Sequence, residues 1–289
     1  MSIPPLSPPR YLDVDGGRIA YYDTGSGEDT IVWVHGLPTD SRAWSAQRDF
    51  FDTRARSIFL DLRGYGASDK IPADMLRSGN LSTLYIADLA ALITRLELRR
   101  PMLVGFASAG HIALRLAATH PDLIGKLALL NGTPQFRRRP DWPNGFSGAE
   151  MSRFIDAATR GGIDPVMDLL LDPATVFTDV SPARAIELGD RFREMIRSAG
   201  VDTLLAFFES VALDDDWTLL RDIQAPTLVM TSTLGRKAPS GAALHMRTTI
   251  PHALLAELPG ADHFAFATRP ELVNQLLDAF RTTRRAASS

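Results

Sequence analysis

The stretch LVGFASAGHIALRLA, Leu103 to Ala117, passes from an apolar run into helical spacing through small residues alone. A strand that hands over to a helix so abruptly belongs to a βα unit of a parallel sheet. The same form recurs along the chain: TIVWVHG and ARSIFLDLRG are apolar runs closed by glycine, as expected of strands covered on both faces. KLALLNG, Lys126 to Gly132, and PTLVMTS, Pro226 to Ser232, add two more. Helical spacing marks LSTLYIADLAALITRLEL, where Ser82 is placed to cap the start, and PELVNQLLDAF after the strand-like ALLAELPG. RYLDVDG and GRIAYYDTG alternate apolar with polar around Gly16 and Gly17, the pattern of an antiparallel hairpin at a sheet edge. This order predicts an α/β fold with a doubly wound, mostly parallel sheet and right-handed crossovers.

Between Asn131 and Pro226 the pattern changes. Four helical segments follow one another, GAEMSRFIDAATR, DPVMDLLL, SPARAIELGDRFREMIRSA and VDTLLAFFESVAL, with no convincing strand. A chain of 289 residues suits one large domain carrying an insertion. Helices inserted after a late strand lie over the C-terminal strand edge, where open α/β sheets bind ligands. Residues 134–216 are therefore expected to form an all-helical lid over a core built from 1–133 and 217–289, with the tail RTTRRAASS frayed.

Several functions are disfavoured at this stage. A net charge of −3 with interspersed signs leaves no nucleic-acid footprint, and the short cluster Arg137, Arg138 and Arg139 reads as a solvated loop. Without cysteine there is no disulfide framework and no thiolate metal site. No histidine pair has metal spacing, and no glycine loop has Rossmann or Walker spacing, so neither metal nor cofactor is expected. The start, MSIPPLSPPR, lacks the apolar core of a signal peptide, and no run approaches the roughly 18 to 20 apolar residues of a membrane span. A cytoplasmic protein with a small-molecule partner, and neither nucleic acid nor membrane, is the expectation; oligomeric state is not legible.

Four motifs fall in order on these elements: HGLPTDSRAW after the third strand, DLRGYGASD after the fourth, LVGFASAGH at the strand-turn-helix, and PGADHFAFATRPE near the end. Together they resemble the α/β-hydrolase superfamily over nearly the whole chain. The helical lid and LNGTPQFRRRPDWP look most like small esterases related to the pimeloyl-carrier-protein methyl ester esterase. HGLPTDSRAW is also similar to its counterpart in epoxide hydrolases and haloalkane dehalogenases. The resemblance implies carboxylester or lactone hydrolysis on a small molecule.

Acyl transfer of that kind needs a nucleophile on a tight strand-to-helix turn, a base, an acid to hold the base, and backbone donors for the oxyanion. Gly105 and Ala109 supply the small residues two before and two after the nucleophile position, but that position is Ala107, which has no oxygen. A register shifted to Ser108 would put bulky Phe106 where a small residue is needed. The resemblance places the base at His263 and the oxyanion-hole donors at the backbone N–H groups of Leu37, just after His35 and Gly36, and of Ser108. It places the acid at Gly235, which cannot serve, or at Asn131, which reads either as a carbonyl able to orient a neutral histidine or equally as a turn residue. Asp262, beside His263, is expected to point elsewhere; Asp214, Asp215 and Asp216 are expected to cap a helix or face solvent. His35 is expected to orient its loop, and His111, His120, His245 and His252 to be helix or loop histidines.

Three explanations of Ala107 stand side by side: a disabled ester hydrolase, a divergent enzyme such as a lyase or cyclase that uses His263 as acid or base, and a non-catalytic small-molecule binder. Candidate wall residues are Gly36, Leu37, Phe106, Trp142, Phe154, Phe207 and Phe208. Arg236 and Lys237 near the missing acid are candidates to attract an anionic group, or a solvated pair.

Overall fold

A computed structural model describes residues 8–235 and 240–283. The apolar runs fold as strands: β1 (Arg10–Val14), β2 (Gly17–Thr24), β3 (Thr30–Val34), β4 (Arg56–Leu60), β5 (Met102–Phe106), β6 (Lys126–Leu130), β7 (Thr227–Ser232) and β8 (Ala253–Leu258). They form one sheet in the order β1-β2-β4-β3-β5-β6-β7-β8. β2 pairs antiparallel with both β1 and β4, and every other neighbouring pair is parallel. The β1–β2 hairpin turns at Gly16 and Gly17, with φ of 74° and 158°, conformations open to glycine.

Residue alternation along the central strands divides the core between the two sheet faces. Val32, Val34, Leu103, Leu127, Leu129 and Val229 belong to one buried cluster; Trp33, Val104, Ala128, Leu130 and Met230 belong to the other. Helices cover both faces, which is why the strands read as unbroken apolar runs. Strand β5 leads directly into the helix Ser108–Thr119.

Helix Leu81–Arg95 starts without the Ser82 cap that its sequence suggests. The Leu81 N–H donates to Ser210 Oγ at 3.2 Å, while the Ser82 hydroxyl donates to the Asp214 carboxylate. A distant carboxylate outcompetes the local backbone for that hydroxyl.

Between β6 and β7 the described residues form no strand ladder, only isolated bridges such as Gln135 with Asp215. The insertion consists mainly of helices Gly148–Gly161, Ile163–Leu170, Pro182–Ser198 and Val201–Glu209, close to the four predicted segments. Ser147 and Glu150 form a reciprocal capping box on the first, and Ser181 followed by Pro182 starts the third.

Candidate active site

Ala107 stands between β5 and the following helix with φ 48° and ψ −114°, a region that residues bearing a Cβ rarely occupy. Ser108 is already helical, so the strained residue of this strand-to-helix turn, hereafter the elbow, is residue 107. Its surroundings hold the turn: Ala107 N–H donates to the Leu130 carbonyl at 3.0 Å, and Gly110 N–H donates to the Ala107 carbonyl at 3.0 Å. A Cβ on Gly105 would lie 2.7 Å from the Ala109 carbonyl oxygen, and one on Gly110 would lie 3.1 Å from the Gly132 Cα. Glycine at those places lets the chain fold back on itself.

His263 follows β8 and lines the same cavity as Ala107, Ser108 and Leu37. Its ring packs 4.9 Å from Phe106 and 5.3 Å from Phe264, so both phenylalanines shield it. A Cβ on Gly235 would lie 3.7 Å from the His263 Cα, which puts Gly235 beside the histidine, though with no carboxylate to offer. Asn131 also reaches this loop, by another route. Its amide Nδ2 donates to the His263 main-chain carbonyl at 2.8 Å and to Ser232 Oγ at 2.9 Å, and its Oδ1 accepts from Ser232 N–H at 2.8 Å. The side chain thus staples β6 to β7 and the histidine loop through the backbone, with φ 50° at Asn131 itself. Asp262 does point elsewhere: its oxygens accept from Phe264 N–H at 2.9 Å and Thr178 N–H at 3.0 Å, tying the insertion to the histidine loop. Burial pushes the Asp262 carboxyl above its ordinary value, against those hydrogen bonds.

Of the two backbone N–H groups expected as oxyanion donors, that of Leu37 already has a partner. It donates to Ser108 Oγ at 2.7 Å. His35 orients the loop: its Nε2 accepts from Leu62 N–H at 3.0 Å, and burial lowers its pKa. Gly36 contributes its carbonyl to Thr39 and lies against Phe106, where a Cβ would come within 2.7 Å of the ring.

A cavity of about 80 Å³ lies over the elbow. Of the predicted wall residues, Leu37, Phe154, Phe207 and Phe208 line it. Phe106, Trp142 and Gly36 do not. Phe106 instead packs behind the site against Trp44, Phe264 and Phe266, and Trp142 packs on Trp217 and His245 with its indole N–H on the Gln135 carbonyl. Phe136, Phe146, Met151, Leu170 and Leu204 complete the apolar wall. For Met151 and Leu204 the signal was the i, i+3, i+4 stripe of Met151 with Phe154 and of Leu204 with Phe207 and Phe208, the apolar face of two inserted helices. Arg236 and Lys237 lie outside the described residues.

Of the acidic run, Asp216 stands at the N-cap position of the 3-10 helix Trp217–Asp222 but its side chain caps nothing, and the run as a whole does not face solvent. Asp216 is buried, with Oδ2 3.1 Å from His111 Nε2 and Oδ1 3.3 Å from Arg115 Nε. Asp214 pairs with Arg115 at 2.9 Å and accepts from Ser82, and Asp215 pairs with Arg139. Burial opposes ionisation of Asp214, but hydrogen bonds from His111 and Ser82 prevail and lower its pKa; at Asp216 burial prevails and raises it. The cluster ties the end of the insertion to the elbow helix.

Among the described residues no group of three or more His, Asp or Glu is arranged to hold a metal ion, and no helix is long and apolar enough to cross a membrane.

The sequence profile of the alpha/beta hydrolase family matches residues 31–276. The chain is 29% identical to a 2-hydroxy-6-oxononadienedioate/2-hydroxy-6-oxononatrienedioate hydrolase of Paraburkholderia phymatum, covering 93% of each. It is also 29% identical to a pimeloyl-[acyl-carrier protein] methyl ester esterase of Nitrosomonas europaea, covering 89% of this chain and 96% of that protein. An esterase from Exiguobacterium antarcticum superposes with a TM-score of 0.85 at 25% identity, over 93% of this chain and 97% of the other. The fold is also that of an enol-lactonase from Burkholderia xenovorans, with a TM-score of 0.83 at 20% identity over 95% and 100% of the two chains.

Proposed function

Because the chain belongs to the alpha/beta hydrolase family, we propose that it acts on the carbonyl group of a small, largely apolar molecule without a covalent serine intermediate. The substrate, an ester, lactone or related carbonyl compound, is enclosed beneath the helical insertion, which serves as the lid. The observation that carries this reading is Ala107: the strained elbow is kept, His263 shares its cavity, and the nucleophile position has no hydroxyl.

His263 is then the proton-transfer group. As a general base it takes a proton from water attacking an ester or lactone carbonyl, or from a substrate C–H or O–H in a lyase or cyclase reaction. Phe106 and Phe264 limit its solvation, and the surrounding aromatic wall strengthens any charge interaction with the substrate oxygen. Gly235 leaves no carboxylate at the place the family resemblance gives the acid, which suits a histidine that starts neutral. Relatives named as hydrolases and esterases support carbonyl chemistry.

One observation favours a second reading, a non-catalytic binder: Leu37 N–H is already engaged by Ser108. The two readings separate on a panel of small esters, lactones and enolisable ketones, with product followed by chromatography and binding by calorimetry. The enzymatic reading expects turnover that falls about 10²- to 10⁴-fold in His263→Ala while ligand affinity stays. Saturable binding without product in the parent chain selects the binder, and turnover indifferent to His263→Ala removes the histidine from the chemistry.

A further inference from the structure

Ser108 Oγ accepts the Leu37 N–H at 2.7 Å and lines the cavity, yet the residue is only 4% exposed. Among the described residues its hydroxyl donates to no protein acceptor, so its proton is available to the cavity. An oxygen in this place does to the Leu37 amide what a substrate oxygen would do in a two-amide hole. A ligand carbonyl cannot use the Leu37 N–H without displacing Ser108 Oγ.

We propose that the Ser108 hydroxyl is the donor that receives the ligand's carbonyl or enolate oxygen, polarised from behind by the Leu37 N–H. The chain amide → hydroxyl → ligand oxygen is cooperative, since accepting one hydrogen bond makes a hydroxyl a better donor. It also moves the ligand oxygen outward from the elbow by one hydrogen-bond length, roughly 2.7 Å for an O–H···O contact. That displacement suits a site whose nucleophile position is Ala107, because the carbonyl carbon no longer has to meet an atom on that side chain. The class of ligand follows: a compact apolar body with one strong oxygen acceptor, since the remaining walls are chiefly Phe136, Phe154, Phe207, Leu204 and Met151. The proposal rests on the reading of this cavity as the substrate site.

A pair of isosteric probes tests it on the full chain. Acetophenone and α-methylstyrene differ in having C=O or C=CH₂ on the same frame. The parent protein should bind acetophenone about tenfold more tightly, the worth of one sound hydrogen bond, and the carbonyl stretch of the bound ketone should shift to lower frequency. Ser108→Cys, which keeps an atom against the Leu37 N–H but donates far more weakly, should lose most of the preference and of the shift; full retention of both would overturn the proposal. Ser108→Ala frees the Leu37 N–H, so a ketone bound there should show a carbonyl shift different from the parent's; a shift identical to the parent's would show that the Leu37 N–H is the donor in both and would equally overturn the proposal. Saturable binding of neither probe to the parent chain would instead defeat the cavity reading beneath it.

Discussion

At Ala107 the backbone holds φ 48° and ψ −114° although no side-chain function there calls for it. Such a conformation costs about 1–3 kcal/mol, and it persists where neighbours over-determine it. Here the close approaches at Gly105 and Gly110 and the hydrogen bond to Leu130 do so. A hydroxyl placed on this frame would therefore be presented at the elbow. Ala107→Ser is expected to gain a single fluorophosphonate adduct by intact-protein mass spectrometry, whereas the parent gains none. Adding Gly235→Asp should accelerate labelling further, by up to the roughly 10⁴-fold lost when a triad acid is neutralised. The new Cβ must fit 3.2 Å from the Ser232 carbonyl, so circular dichroism of the double variant accompanies the assay. No adduct in either variant would mean that His263 cannot activate residue 107. His35 carries a separate prediction. Its Nε2 accepts a buried N–H and burial lowers its pKa, so the folded state resists protonation that the unfolded chain accepts below about pH 6.5. The sign follows: stability from His35 is present above that pH and lost as pH falls toward its lowered value, by at most about 1.4 kcal/mol per pH unit. The urea midpoints of the parent and of His35→Gln should converge between pH 7.5 and pH 5.5; a constant gap would remove the effect.

At the level of elements, polar ties add to the apolar packing that holds the insertion to the sheet. Asp262 is one of them, joining Thr178 to the turn after β8. Asp262→Ala strands two backbone donors, Thr178 N–H and Phe264 N–H, and should cost about 1–3 kcal/mol. Hydrogen exchange should rise at residues 177–179 before it rises in β8; equal protection in both variants would show the tie to be idle. The same ties explain what the sequence disclosed. The parallel sheet, the hairpin at Gly16 and the four inserted helices were legible because their signals, apolar runs and helical stripes, are local. The tight turn at residue 107 and the place of His263 on the same cavity were legible for a similar reason, each sitting in a compact motif at a strand end. The hidden features depend on partners far along the chain. Ser108 meets Leu37 across 71 positions, Asn131 meets His263 across 132, and Ser82 meets Asp214 across 132. No local pattern announces such pairs, so Ser82 read as a cap, Asp214 as a capping or solvent-facing charge and Asn131 as an acid stand-in or a turn residue. Phe106 and Trp142 failed as wall residues likewise, since which face of an aromatic side chain meets a cavity is decided by packing.

Across the whole molecule the question is whether the insertion opens independently of the sheet. Chains of this length often unfold through intermediates, domain by domain, and four helices joined only by polar ties would do so readily. The apolar contacts argue otherwise. Met151, Val166, Leu204 and Phe207 lie in the same buried cluster as Val32 and Leu103 of the sheet, whereas Met167, Phe177, Leu188 and Phe192 lie in the other cluster with Trp33 and Val104. Both faces of the core therefore extend into the insertion, and removing its helices would expose large side chains worth about 1.5–3 kcal/mol each. Phe264 shows the coupling closely: its ring sits 5.1 Å from Phe177 and 4.7 Å from Phe192 of the insertion, and 5.6 Å from Phe106 of β5. Helices Pro182–Ser198 and Val201–Glu209 should accordingly exchange their slowest amides with nearly the same free energy as β3 and β5, and the rates should share one denaturant dependence. Helix Gly148–Gly161, which buries only Met151 and Ala158, is the place for faster local opening. That graded outcome lets ligand reach the Met151 and Phe154 wall of the cavity through motion of one helix while the rest stays closed. Uniform early exchange across all four helices would instead make the insertion a separately folding lid, with ligand access governed by its opening as a unit.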